Sequence, residues 1–149
     1  GPAWASTAAQ RLVLSYFNRR SLSLNNFFTA RRSISSTSFV EINSEIRCEF
    51  LTWADEAIFI GANGTVDTVA QPGAQTSIAF DGATPEDCMS TIGADAYSPF
   101  GLSLCKSEIS EGYHDVRLIG RATSAGTVTW EVESNSAGRR TALTGMVRG

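Results

Sequence analysis

The sequence predicts an all-β domain, a sandwich or a barrel of short strands. Three observations predict it. Apolar residues recur with a period of about two rather than about 3.6 through most of the chain. Turn signals rich in Gly, Asn and Ser return roughly every ten residues. The chain has 149 residues, enough for one domain. At that size a fold buries ~70% of its unfolded surface and needs no metal or disulfide to close its core.

The elements follow in order. "SFVEI" and "IRCEFLTW" read as strands separated by a polar turn at Asn43-Ser44-Glu45. "EAIFIGANGTV" reads as a strand broken by Asn63-Gly64, a strong hairpin-turn dipeptide. "TSIAFDG" sets Ile78 and Phe80 against Ser77 and Asp81. Residues 81–99, "DGATPEDCMSTIGADAYSP", form the longest irregular stretch, with room for a helical turn at "TPEDCM" capped by Thr84 and opened by Pro85. "FGLSLCKSEI" and "GYHDVRLIGRAT" are strands flanking the turn Ser110-Glu111-Gly112. Ser124-Ala125-Gly126 then returns the chain into "TVTWEVES", where Val128, Trp130 and Val132 share one face, and "RTALTGMVRG" is one more strand.

Charge divides the chain unevenly. Residues 1–40 hold Arg11, Arg19, Arg20, Arg31 and Arg32 and no acid, while every Asp and Glu lies from Glu41 onward. A net charge of −3, with apolar residues interleaved among the arginines, argues against nucleic-acid binding and for pairing with the acidic remainder. Residues 3–34 are therefore expected to be an ordered stalk or accessory strand segment, and residues 35–149 the β-sandwich domain. Gly1-Pro2 has the look of a protease scar. No apolar run approaches the ~20 residues that span a bilayer, so no membrane insertion is expected. Cys48, Cys88 and Cys105 are odd in number and lack CxxC spacing, which suggests three buried thiols and neither a disulfide framework nor a zinc site.

The only histidine, His114, has Asp115 beside it in "EGYHDVRLIGR". A catalytic base needs an acid to orient it, but strand neighbours point to opposite faces. Period two puts His114 with Val116, Leu118, Gly120 and Ala122, and Asp115 with Tyr113, Arg117 and Arg121. His114 is thus expected in the core or a subunit interface, and Asp115 between arginines on the polar face. The acid pairs Asp55-Glu56 and Glu86-Asp87 read as solvated loop residues, and no motif for a serine nucleophile, a metal or a phosphate loop occurs. The expectation is no catalytic residue, no metal and no cofactor.

"IRCEFLTW" is apolar on both faces, Ile46, Cys48 and Phe50 on one and Leu51 and Trp53 on the other. Such a strand needs two partners, and a second subunit is one way to supply the outer one. A binding module would use exposed aromatics to stack on sugars and carboxylates to bond hydroxyls. The candidate ligand residues are Trp53 with Asp55, and Asp95 with Tyr97 in the long loop.

"SSTSFVEINSEIRCEFLTW", "SIAFDG" and "ISEGYHDVRLIGR" leading into "GTVTW" together resemble the small tumour-necrosis-factor-like domains at the C-terminal ends of bacteriophage tail fibres and tailspikes. The resemblance covers residues 35–149 and is sharpest from Glu111 to Leu118. It implies a jelly-roll-like antiparallel β-sandwich with an N-terminal extension, assembled as a homotrimer in the host cytoplasm and carried on the virion. It further implies a trimerising tip with host-surface polysaccharide as a candidate ligand. The alternative is part of a polysaccharide-degrading tailspike enzyme whose catalytic residues lie mostly outside this fragment.

Overall fold

The structure is a computed structural model that describes residues 21–53, 56–132 and 140–148. The strands are β1 (Leu22–Phe27), β2 (Arg32–Ile34), β3 (Val40–Glu41), β4 (Cys48–Thr52), β5 (Glu56–Asp67), β6 (Ala74–Phe80), β7 (Pro85–Ile92), β8 (Tyr97–Ile109), β9 (Gly112–Ala122), β10 (Val128–Trp130) and β11 (Ala142–Arg148). A short 3-10 turn occupies Ser44–Ile46, its N-terminus capped by Asn43, whose side chain accepts from the Glu45 backbone N–H.

The strands form two antiparallel sheets packed face to face. The first runs β1-β11-β5-β10-β2, with β8 on the other side of β5; the second runs β3-β9-β6-β7, with β4 also pairing β9. If β1/β2, β3/β4 and β10/β11 are each taken as one interrupted strand, eight strands remain. Their orders, 1-8-3-6 and 2-7-4-5, are those of a jelly roll. Residues 22–34, expected in an accessory segment, supply β1 and β2 to the first sheet.

The core lies between the sheets and follows the period-two pattern. Ile58, Ile60, Leu143 and Trp130 from the first sheet meet Phe50, Ile78, Val116 and Leu118 from the second. Trp130 crosses the core and donates its indole N–H to Thr76 Oγ1 at 3.0 Å. Gly120 makes room for it, since a Cβ there would stand 2.5 Å from the Trp130 ring. Ile46, Cys48 and Phe50 are buried as the alternation of "IRCEFLTW" requires, while Leu51 is half-buried.

Three sequence expectations are corrected. Asn63-Gly64 is not a turn: β5 runs through it, paired along its length with β8 and on its other side with β11 and β10. Gly64 serves close packing instead, because a Cβ would meet Thr141 Oγ1 at 2.4 Å and the Phe100 ring at 2.8 Å. "TPEDCM" is not helical and residues 81–99 are not one long loop, for β7 pairs with β6 and β8 starts at Tyr97. Pro85 takes the first position of an edge strand, where its missing N–H costs nothing. The cysteines are free but not all buried: Cys48 is buried, Cys88 half-buried and Cys105 exposed on the outward side of β8.

Candidate functional site

The two outer faces of the sandwich differ in charge. On the second sheet, β4 and β9 turn Glu49, Asp115, Arg117 and Arg121 outward, joined by Glu41 and Arg47. All of these charges but Arg121 are matched to one another. Arg47 Nε donates to Glu41 Oε1 at 3.0 Å and approaches Glu49 at 3.9 Å. Arg117 holds both oxygens of Asp115 with its Nε and Nη2. The hydrogen bond to Glu41, opposed by burial and aided by the nearby acids, raises the Arg47 pKa, as the Asp115 bond does for Arg117. A hydrogen bond to Glu49, with burial next, raises the Tyr113 hydroxyl.

The first sheet presents an uncharged face. Antiparallel register aligns its outward residues in rows across β1, β11, β5 and β8: Ser23–Met146–Phe59–Cys105, then Asn25–Thr144–Gly61–Ser103, then Phe27–Ala142–Asn63–Gly101. Thr65 and Pro99 continue it, and among the described residues charge reaches this face toward its ends, at Arg148, at Asp67 and at Arg140 over Phe27. Phe59 is 56% exposed and Met146 45%. Beside them Gly61, Asn63, Gly101, Ser103 and Thr144 line a shallow trough of about 400 Å³. Glycine and short polar side chains keep the middle rows low, so Phe59 and Met146 stand above them. Phe27, 40% exposed at the other end, has the Arg140 guanidinium 4.7 Å from its ring centre.

The candidate ligand residues do not converge. Trp53 precedes β5 and Tyr97 pairs with Asp67 at its far end. The 12 residues of β5 separate them, a length of roughly 40 Å at ~3.3 Å per residue. Trp53 is half-buried, its backbone N–H donating to Glu56 Oε2 at 3.1 Å. Asp55 lies outside the described residues. Asp95 is a loop anchor: it takes a positive φ of 54°, and its Oδ1 accepts the Ala70 N–H at 2.7 Å. Tyr97 keeps a 44% exposed surface.

His114 stands as the alternation predicts, buried and inward, while Asp115 faces the other way toward Arg117. Arg121 instead donates to Gln75 and lies over Phe39. The partner of His114 is one that local sequence could not supply: Asp81, 33 positions away, with Oδ2 2.6 Å from Nδ1. The uncharged face was also missed. Its residues come from four strands, and only register shows that they are neighbours.

Among the described residues no group of three or more His, Cys, Asp or Glu could hold a metal, and no helix is long and apolar enough to cross a membrane. Comparison of the chain with protein-family models and with curated proteins gives no match.

Proposed function

We propose that this chain is a trimeric tip module of a bacteriophage tail fibre or tailspike, and that it assembles through the uncharged face of its first sheet. The observation that carries the reading is the row Met146–Phe59–Cys105, set in a face whose central rows hold no charge. Interface centres are depleted in charge and enriched in aromatics and Met, which is the composition here. The opposite face, with its charges already paired, suits solvent. Three copies placing this face toward a common axis would close on themselves and leave no open end to extend into a filament. The resemblance of residues 35–149 to fibre tips supports the virion setting.

Gel filtration with light scattering tests the assembly. The wild type is expected to run as a trimer at micromolar concentration and Phe59→Arg as a monomer. Met89→Arg, on the exposed charged face, should remain trimeric. A monomeric wild type, or a trimeric Phe59→Arg, overturns the proposal.

Host-surface polysaccharide is the ligand proposed for such a tip. Of the predicted residues Tyr97 favours it, since it offers an exposed ring next to Asp67 at one end of the sandwich. A glycan screen of wild type against Tyr97→Ala checks this, with binding expected only for the wild type.

A further inference from the structure

The uncharged face of the first sheet begins where the chain enters the fold. Leu22 opens β1 opposite Val147, and the next row across the sheet is Ser23–Met146–Phe59–Cys105. Phe59 and Met146 are the most exposed large apolar side chains of this face. From that row to Thr65 and Pro99 the outward strand positions carry no charge, with Arg140 reaching over Phe27 from just before β11. Asp67 lies at the far end of β5. The exposed acids Glu108 and Glu111 stand with Arg148 at the entry end.

Residues 3–20 lead into β1 and lie outside the described residues. Their last ten, "RLVLSYFNRR", put charge at both ends, Arg11 at one and Arg19-Arg20 at the other. Of the six residues from Leu12 to Phe17, all but Ser15 are aliphatic or aromatic. We propose that residues 11–17 fold back over the uncharged face of their own chain as a strap, seated on Phe59 and Met146 and in the trough lined by Gly61, Gly101 and Thr144.

Reach, charge and tethering favour this occupant. The link from Phe17 to Ser21 spans up to ~14 Å. Phe59 lies two strands in from β1, about 10 Å away at ~4.8 Å per strand. Going back from Phe17 to Arg11, an extended chain covers roughly 20 Å, and Phe59 to Thr65 is the same step along β5. The neutral run then lies on the neutral rows. Arg11 comes toward Asp67, while Arg19 and Arg20 stay beside Glu108 and Glu111. A segment on so short a link faces its own sheet at an effective concentration on the order of 1 mM, above what a second copy reaches in micromolar solution. The strap needs one chain only, so it does not rest on the trimer; copies would meet through strap and face together.

Cysteine crosslinking in the full chain tests the strap. Gln10→Cys and Ser15→Cys, one for each side of an extended segment, are oxidised with diamide and read on a non-reducing denaturing gel with peptide mapping. At least one is expected to bond to Cys105 within a single chain, ~tenfold or more faster than in urea. Bonds between chains, bonds to Cys88 on the other sheet, or no gain over urea overturn the proposal. The two methionines supply a second reading, since Met146 lies on this face and Met89 on the opposite one. Leu12→Asp combined with Leu14→Asp should open the Met146 methyl to a soluble paramagnetic agent in NMR and leave Met89 as in the parent. Equal exposure of Met146 in parent and variant also overturns the strap. Gel filtration of the same samples separates the two readings: a monomeric parent with the single-chain bond removes the trimer and keeps the strap, while a trimeric parent without that bond does the reverse.

Discussion

Single residues in this protein act through the partners that the fold delivers to them. His114→Ala takes a buried ring from beside Phe50 and Phe80 and breaks its contacts with Asp81 and the Ser110 carbonyl, a loss of ~0.5–3 kcal/mol. Thermal melting should show that loss with the assembly state of the wild type unchanged, whereas a normal melt with loss of a ligand would contradict a structural role. Gly145→Ala is expected to be at least as damaging. Its Cβ would lie 2.4 Å from Ile60 Cδ1 and 2.6 Å from the Phe59 carbonyl oxygen, and a backbone atom in the middle of a sheet cannot step aside. Overpacking of this kind costs ~1–3 kcal/mol, measurable in the denaturant midpoint. The three thiols should differ in reactivity. Burial, only partly offset by the Asn26 contact, pushes the Cys48 thiol up to about 11. The thiolate is the nucleophile, so in the Phe59→Arg monomer a thiol reagent at neutral pH should label Cys105 first and Cys48 only when the protein unfolds.

At the scale of elements, β1 and β2 are fastened more by burial than by charge. Leu24 and Phe28 sit in the core, and β1 pairs with β11 along its length. Arg31 reaches Glu131 at 2.6 Å and Arg32 reaches Glu45 at 2.5 Å, so these two basic residues do meet the acidic remainder on the same chain. Arg11, Arg19 and Arg20 lie outside the described residues. Partly exposed ion pairs contribute only ~0–1 kcal/mol each. Deleting residues 3–34 should therefore lower the melting temperature or dissociate the proposed trimer, with weak dependence on salt. A parent-like melt and assembly would refute this.

The Glu45 corner adds a pH dependence to the docking of β2. Burial pushes the Glu45 carboxyl up, but hydrogen bonds from the Thr29 hydroxyl and Arg32 outweigh it and hold it below the usual carboxylate range. A carboxyl lowered on folding stabilises the protein above its unfolded pKa, and that stabilisation is lost as pH falls through the folded value. Glu45→Gln should therefore lose stability near neutral pH and converge with the wild type in acid, read from melting temperature against pH.

The whole molecule separates its two surfaces by composition. The second sheet spends its charges on one another, through Arg47 with Glu41 and Arg117 with Asp115. The first sheet keeps charge out of its central rows and raises Phe59 and Met146 above small neighbours. An apolar group of this kind, framed by short polar side chains, marks a contact surface more readily than a solvated one. If assembly buries this face, Cys105 in the same row should lose its fast reaction with a thiol reagent in the wild-type trimer and regain it in the Phe59→Arg monomer.

The sequence by itself determined the all-β class, the register of β9 and β10 relative to the core, and the opposite facing of His114 and Asp115. Each of these depends on side-chain alternation, which is a property of the strand alone. Tertiary structure decided the rest. Asn63-Gly64 has turn chemistry, yet pairing with β8, β11 and β10 carries β5 straight through it, with Gly64 taken up by the approach of Thr141 and Phe100. "TPEDCM" has no apolar alternation to announce a strand, and its state came from the open edge of β6. Trp53 and Tyr97 look alike in sequence as loop aromatics, but the length of β5 sets them at opposite ends. The uncharged face and the His114–Asp81 pair join residues from separate strands and turns, and their proximity arises only when two sheets register and close on one core.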